Sequence, residues 1–253
     1  MFSLLITATD TGVGKTVVTA AMVAEARKRG RDAVPMKPSQ TGCVWADGRW
    51  VAPDLEFCYE MSGYRPPQAE LGLACPFPFM PACAPHLAAS MAGRRVSLAS
   101  IAYRHRRLCA AHELVAVEGI GGVRVPLNIQ DTMLDLMAAL RLPVLLVVRT
   151  GLGTLNHTLM SLDVLRAAEI PLLGLVAVRQ VTGPMTALEQ DNLEFMERRG
   201  HVPILACLER HEALARGEMT PQEFRSKVAP ALSPALDALD DFMEQGPVAR
   251  QDF

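Results

Sequence analysis

The run Ala8-Thr9-Asp10-Thr11-Gly12-Val13-Gly14-Lys15-Thr16-Val17 follows an apolar, strand-like stretch and leads into a helix-like one. Strand, glycine-bearing turn, Gly-Lys-Thr and helix is the order that a triphosphate site requires. Gly12 and Gly14, on either side of Val13, let the backbone turn tightly and aim its N–H groups at phosphate oxygens. The helix that begins there adds unpaired N–H groups and the positive end of its dipole. Lys15 supplies a charge for the β- and γ-phosphates, and Thr16 a hydroxyl for Mg²⁺. The spacing departs from G-x-x-x-x-G-K-[ST], because Thr9 stands where the first glycine belongs. The bland alternative is a strand–helix turn with a surface lysine, and the order of elements weighs against it.

Three other strand ends carry polar candidates. Lys37, in Lys37-Pro38-Ser39-Gln40-Thr41-Gly42, sits where a strand delivers its last side chain, and Pro38 keeps the chain from turning helical. A lysine there suits phosphate or carbamate oxygens; alone, it also reads as a surface lysine. Val117-Glu118-Gly119-Ile120-Gly121-Gly122 ends an apolar strand in a carboxylate, which suits Mg²⁺, followed by glycines that let backbone approach phosphate. The lesser alternative is a plain glycine-rich turn after a strand. Gly151-Leu152-Gly153-Thr154-Leu155-Asn156 opens a helix whose free N–H groups suit a carboxylate, or whose start is simply capped by Thr154. Asp54 is a lone carboxylate in a long irregular region.

The elements that must position these residues alternate. Strands are expected over Phe2–Ala8, Ala33–Lys37, Leu114–Glu118, Val144–Val148, Leu173–Val178 and Ile204–Cys207, most of them continuously apolar, as strands buried on both faces are. Helices are expected over Lys15–Arg29, Leu98–Ala111, Thr132–Leu140, Leu155–Ala168, Thr186–Arg199 and Phe224–Met243. The pattern specifies an α/β fold: a doubly wound, mostly parallel sheet flanked by helices, as one domain over residues 1–253. The Pro- and Gly-rich stretch at about 41–95 stays irregular apart from a short helix near Asp54–Ser62. A loop region of that length is usually functional.

Composition sets limits. Half of the 253 residues are apolar, enough for a sizeable core, and the net charge of −2 offers no broad footprint for nucleic acid. No apolar run approaches a membrane span, and no targeting segment is visible, so a cytoplasmic protein is expected. The six cysteines lack metal-like spacing, and no serine-hydrolase elbow occurs.

Five segments in order resemble dethiobiotin synthetases: the loop at 8–16, K-P-S-Q-T-G at 37–42, P-F-P-F-M-P-A-C-A-P-H-L-A-A at 76–89, V-E-G-I-G-G at 117–122 and G-L-G-T-L-N-H at 151–157. The resemblance implies a P-loop NTPase-like fold and an ATP-dependent cyclo-ligase. Such an enzyme takes 7,8-diaminononanoate and CO₂ through a phosphorylated carbamate to dethiobiotin, ADP and phosphate. It also implies roles. Lys15 holds the phosphates, and Lys37 bridges carbamate and γ-phosphate. Gly12, Val13, Gly14, Thr16, Val17, Gly119 and Gly121 line the nucleotide, and Thr16, Asp54 and Glu118 hold Mg²⁺. Thr41 meets the diamine. Gly153, Thr154, Leu155 and Asn156 receive its carboxylate from the partner subunit of a homodimer.

The chain departs from that family's pattern in places. Ala8 replaces the usual first glycine of the loop, and Gly12 stands where some members carry an acid. The family's adenine-reading asparagine is replaced within Val178-Arg179-Gln180, and Pro203–Glu209 lacks the usual glycine and second proline, so no adenine contact is carried over. Two other readings share the phosphate loop: an amide-forming ligase akin to cobyrinic acid a,c-diamide synthase, and a switch ATPase of the MinD/ParA type. Against the first stands the P-H-L-A-A segment, and against the second the absence of an extra lysine at Thr9-Asp10.

Overall fold

The computed structural model describes residues 2–245. The chain runs β1 (Phe2–Ala8), α1 (Lys15–Lys28), β2 (Ala33–Met36), β3 (Ser39–Gln40), β4 (Val44–Ala46), β5 (Arg49–Val51), α2 (Pro53–Ser62), α3 (Gln68–Ala74) and β6 (Phe77–Pro78). It continues through α4 (Pro85–Met91), α5 (Leu98–Ala111), β7 (Leu114–Gly122), α6 (Met133–Leu140), β8 (Val144–Arg149), α7 (Thr154–Ala167), β9 (Leu172–Val178), α8 (Ala187–Gly200) and β10 (Ile204–Leu208). The last helices are α9 (Glu212–Ala215), α10 (Pro221–Lys227) and α11 (Ser233–Gln245).

Six strands form a parallel sheet in the order β10-β9-β8-β1-β7-β2. Successive side chains of a strand point to opposite faces, and the core divides accordingly. Leu5, Val115 and Val117 join α5, α6, α7 and α8 on one face, through Ile101, Met133 and Leu162 among others. Leu4, Ile6, Leu114 and Ala116 face α1 and the C-terminal helices on the other, through Val18, Phe224 and Leu236. Each fully buried Leu, Ile or Val contributes about 1.5–3 kcal/mol relative to exposure. That is why β1, whose Leu4, Leu5 and Ile6 are all buried, holds the middle of the sheet.

Two expectations need correction. The C-terminal helix is not continuous over Phe224–Met243: α10 gives way to a 3₁₀ turn at Ala229–Leu232, and α11 restarts at Ser233. Pro230 and Pro234 lack the N–H that an uninterrupted helix needs and crowd the preceding turn. The stretch at 41–95 is also more ordered than expected. It holds the β4–β5 hairpin, β6, which pairs with β3 just before the stretch, and helices α3 and α4 besides α2.

Candidate active site

The phosphate loop joins the C-terminal end of β1 to α1. Gly14 adopts φ +119° at the N-cap of α1, with no side-chain cap there, so the first N–H groups of the helix remain available to an anion. A β-carbon on Gly14 would also meet Val178 Cγ1 at 3.1 Å. Val13 turns its side chain into the core, whereas Gly12, Val17 and Thr16 line the cavity above. Lys15 is buried, and its Nζ donates to the Asp10 carbonyl at 2.9 Å. Burial, and then the charge of Lys37, lowers its pKa to about 8.

Lys37 follows β2, its N–H donating to the Ala74 carbonyl at 2.8 Å. Its Nζ lies 2.6 Å from Asp54 Oδ2 and 2.6 Å from Glu118 Oε1, and donates also to the Gly119 carbonyl at 3.3 Å. Asp54 stands in the first turn of α2, behind Pro53, where a helix favours an acid. Glu118 is carried by β7, opposite Ile6 of β1, so the sheet register brings it beside the phosphate loop. Thr16 Oγ1 donates to the same Glu118 oxygen at 2.8 Å. Burial opposes the charge on Lys37, but the carboxylates of Glu118 and Asp54 outweigh it and hold the ammonium above the usual lysine range.

β7 runs on past Glu118 to Gly122, four residues further than expected. Its register on β1 slips there, from Ile6 opposite Glu118 to Ala8 opposite Gly122. Gly119 is needed at the slip, because a β-carbon would lie 3.0 Å from Met133 Cε and 3.2 Å from the Ile6 carbonyl.

A cavity of about 690 Å³ gathers most of the expected residues: Gly12, Gly14, Lys15, Thr16, Val17, Lys37, Thr41, Asp54, Glu118 and Gly121. Gly119 reaches it through the Lys37 hydrogen bond. Ser39 and Gln40 also line it, with Ser39 Oγ and Gln40 Oε1 buried and unpartnered. Sequence reasoning passed over both, although they lie between Lys37 and Thr41 in the same motif.

Residues of the dethiobiotin synthetase-like segments thus surround one cavity. Residues 3–218 match the AAA domain family. The ATP-dependent dethiobiotin synthetase BioD of Anaeromyxobacter dehalogenans (strain 2CP-C) is 47% identical over 184 residues, covering 73% of this chain and 78% of that protein. Its counterpart in Nitrosospira multiformis is 39% identical over 80% of this chain and 86% of its own length. The chain belongs to the dethiobiotin synthetase family. Among solved structures, the Pyrococcus furiosus cell division ATPase MinD aligns with a TM-score of 0.60 at 17% identity, over 95% of this chain and 99% of its own. A ParA family ATPase from Chlorobium tepidum aligns at 0.56 and 12%, over 94% and 97%. Those two likenesses show the P-loop sheet architecture alone; the family membership rests on the synthetases.

Within this family frame, the acidic pair of the cavity fits a divalent cation. Glu118 Oε2 is buried without a partner, and with the Thr16 hydroxyl and Asp54 it completes a set of hard oxygen donors, the kind Mg²⁺ takes. The expected carboxylate-binding turn does not line the cavity. Gly153 is the N-cap of α7 at φ +88°, and Asn156 is exposed one turn on. Thr154 does not cap the helix: its buried hydroxyl donates back to the Arg149 carbonyl at 2.7 Å, and Leu155 packs partly against the core. Among the described residues no helix is long and apolar enough to cross a membrane.

Proposed function

We propose that this chain closes 7,8-diaminononanoate and CO₂ to dethiobiotin at the cavity between β1, β2 and β7, consuming a nucleoside triphosphate. The observation that supports this most is the meeting of Lys37 with Asp54 and Glu118 at 2.6 Å each, one strand from the phosphate loop. Phosphoryl transfer asks a protein for positioning and charge neutralisation rather than covalent help, and these residues offer both.

The reaction begins as one substrate amine adds to CO₂, losing a proton to give a carbamate anion. A carbamate oxygen attacks the γ-phosphorus, the β–γ bond breaks, and ADP leaves. The second amine then adds to the carbonyl carbon of the mixed anhydride and expels phosphate, giving the cyclic urea. Lys15 and the N–H groups opening α1 hold the phosphates throughout. Lys37 stands where charge moves between carbamate and γ-phosphate and stabilises the transition state. Thr41 orients the diamine. Thr16, Asp54 and Glu118 would hold Mg²⁺, whose charge neutralises phosphate oxygens as the bond breaks. The Gly153–Asn156 turn lies outside the cavity of its own chain, which supports a two-fold dimer whose partner lends that turn to receive the substrate carboxylate.

Incubating the protein with ¹³C-bicarbonate, diaminononanoate and MgATP tests the reading. Dethiobiotin labelled at the ureido carbon, with one ADP per product, is expected. Nucleotide hydrolysis that neither requires diamine nor yields labelled urea would overturn it.

A further inference from the structure

A buried polar network lies beside the active site and has no part in the chemistry above. Its centre is Glu189, in the first turn of α8. Arg179, directly after β9, donates to it through Nε at 2.9 Å and Nη2 at 2.8 Å. Thr150 Oγ1 donates to Glu189 Oε1 at 2.8 Å, and the Thr186 N–H and hydroxyl donate to Oε2 at 3.0 and 3.1 Å. Both ionic side chains are 4% exposed. One helical turn on, Asn192 Nδ2 donates to the carbonyls of Thr150 at 2.9 Å and Gly151 at 3.3 Å. Thr150 is therefore gripped by its side chain and its carbonyl, both from α8.

The placement of the grip is what gives it meaning. Thr150 and Gly151 are the two residues from which the chain turns into Gly153 and the start of α7. Arg179 follows Val178, whose methyl groups lie against Gly14 of the phosphate loop. One rigid cluster thus connects the phosphate loop to the α7 start. Replacing a buried ion pair by apolar groups of like volume is often neutral or stabilising, so stability gives little reason for this one. Arg179 donates further to the carbonyls of Gly183 and Pro184, at 2.7 and 2.9 Å, which fixes the guanidinium in place. The Arg179 guanidinium first, and the Thr186 N–H second, hold the Glu189 carboxyl well below the usual carboxylate range.

We infer that Glu189, held by Arg179, is a positioning residue that sets the Thr150–Gly151 backbone so that the start of α7 meets the substrate carboxylate. The inference rests on the reading of Gly153–Asn156 as the carboxylate site. Glu189 is buried and does not line the cavity, so its effect falls on recognition of one end of the diamine.

The test compares diaminononanoate with 2,3-diaminooctane, the same diamine without its carboxylate, in wild type and Glu189→Gln. Wild type is expected to show a much higher KM for the analogue. In Glu189→Gln the KM for diaminononanoate should rise about tenfold or more, the scale of a displaced positioning group. The analogue's KM, the nucleotide KM and kcat per folded protein should stay put, so the gap between the two diamines narrows. A merely structural glutamate would lower thermal stability and shift both diamines alike. Should Glu189→Gln fail to fold, the double variant Arg179→Met, Glu189→Leu replaces the pair by apolar side chains, and the same narrowing is expected. An unchanged gap in a folded variant overturns the inference while leaving the reaction assignment intact. A wild type that makes dethiobiotin without preferring the acid overturns it through the carboxylate site, and a wild type that makes none overturns the underlying reading.

Discussion

Val178 lies against Gly14, so that a β-carbon on the glycine would come within 3.1 Å of its Cγ1. The end of β9 thereby presents an apolar side chain to the phosphate loop where the family carries a base-reading asparagine. Arg179 cannot substitute for that asparagine, because its guanidinium is engaged by Glu189 and two carbonyls.

Discrimination among ATP, GTP and CTP should therefore be weak. A site that hydrogen-bonds a ligand rejects the wrong one strongly, whereas an apolar site does not. Values of kcat/KM for the three nucleotides at equal Mg²⁺ decide the point. A preference for ATP of about 10⁴-fold or more, the scale of polar discrimination, would mean that another residue reads the base.

The two lysines should fail in different ways. Lys15→Ala should weaken nucleotide binding and turnover together, since Lys15 faces the phosphates before and during transfer. Lys37→Gln should lower kcat by roughly 10²-fold or more with little change in nucleotide KM, the mark of a contact made in the transition state. Near-normal turnover of Lys37→Gln at saturating diamine and bicarbonate would remove Lys37 from the mechanism.

Lys15 also sets a pH limit. Its pKa in the free protein is lowered to about 8, by burial first and Lys37 second. Below that pH it is an ammonium, and above it a neutral amine with no charge for phosphate. The kcat/KM for nucleotide, which reports the free enzyme, should therefore fall as pH rises through about 8. Bound phosphate restores the ammonium, so kcat should hold to higher pH. A kcat/KM that stays level well above that value would contradict the burial argument.

Shared sites can be counted by mixing chains. Lys37→Ala and Asn156→Ala, each inactive alone, should regain roughly a quarter of wild-type activity after random subunit exchange, because a mixed two-fold dimer has one intact site. Verified exchange with no recovery places both residues in one chain's site.

Much of the scaffold was legible in the sequence because buried parallel strands write continuous apolar runs; Val144–Val148 is bounded within a residue of β8. The same runs located Lys37 directly after β2 and Glu118 on β7, although β7 runs on to Gly122. Their meeting at one point was not legible. It depends on the register of β1 with β7 and on α2 laying Asp54 against Lys37, and pairwise geometry of that kind leaves no periodicity. The β4–β5 hairpin and α3 were missed because they are only three to seven residues long and are set among Gly and Pro, such as Gly48 and Pro67, that read as loop. The Arg179–Glu189 network was invisible for a different reason: a buried ion pair ten residues apart looks, as text, like two surface charges.

The central place of β1 bears on how the chain is made. Its hydrogen-bonding neighbours begin at Leu114 on one side and Val144 on the other, each more than a hundred residues downstream. As the chain is synthesised, β1 emerges apolar and with both edges open, and it stays unpaired until β7 and then β8 have been made. Exposed edges and long-range parallel pairing are the features that slow folding and invite aggregation. The strand that carries the phosphate loop therefore depends on residues far along the chain, and the loop's place beside Glu118 is set only once β7 has paired with β1.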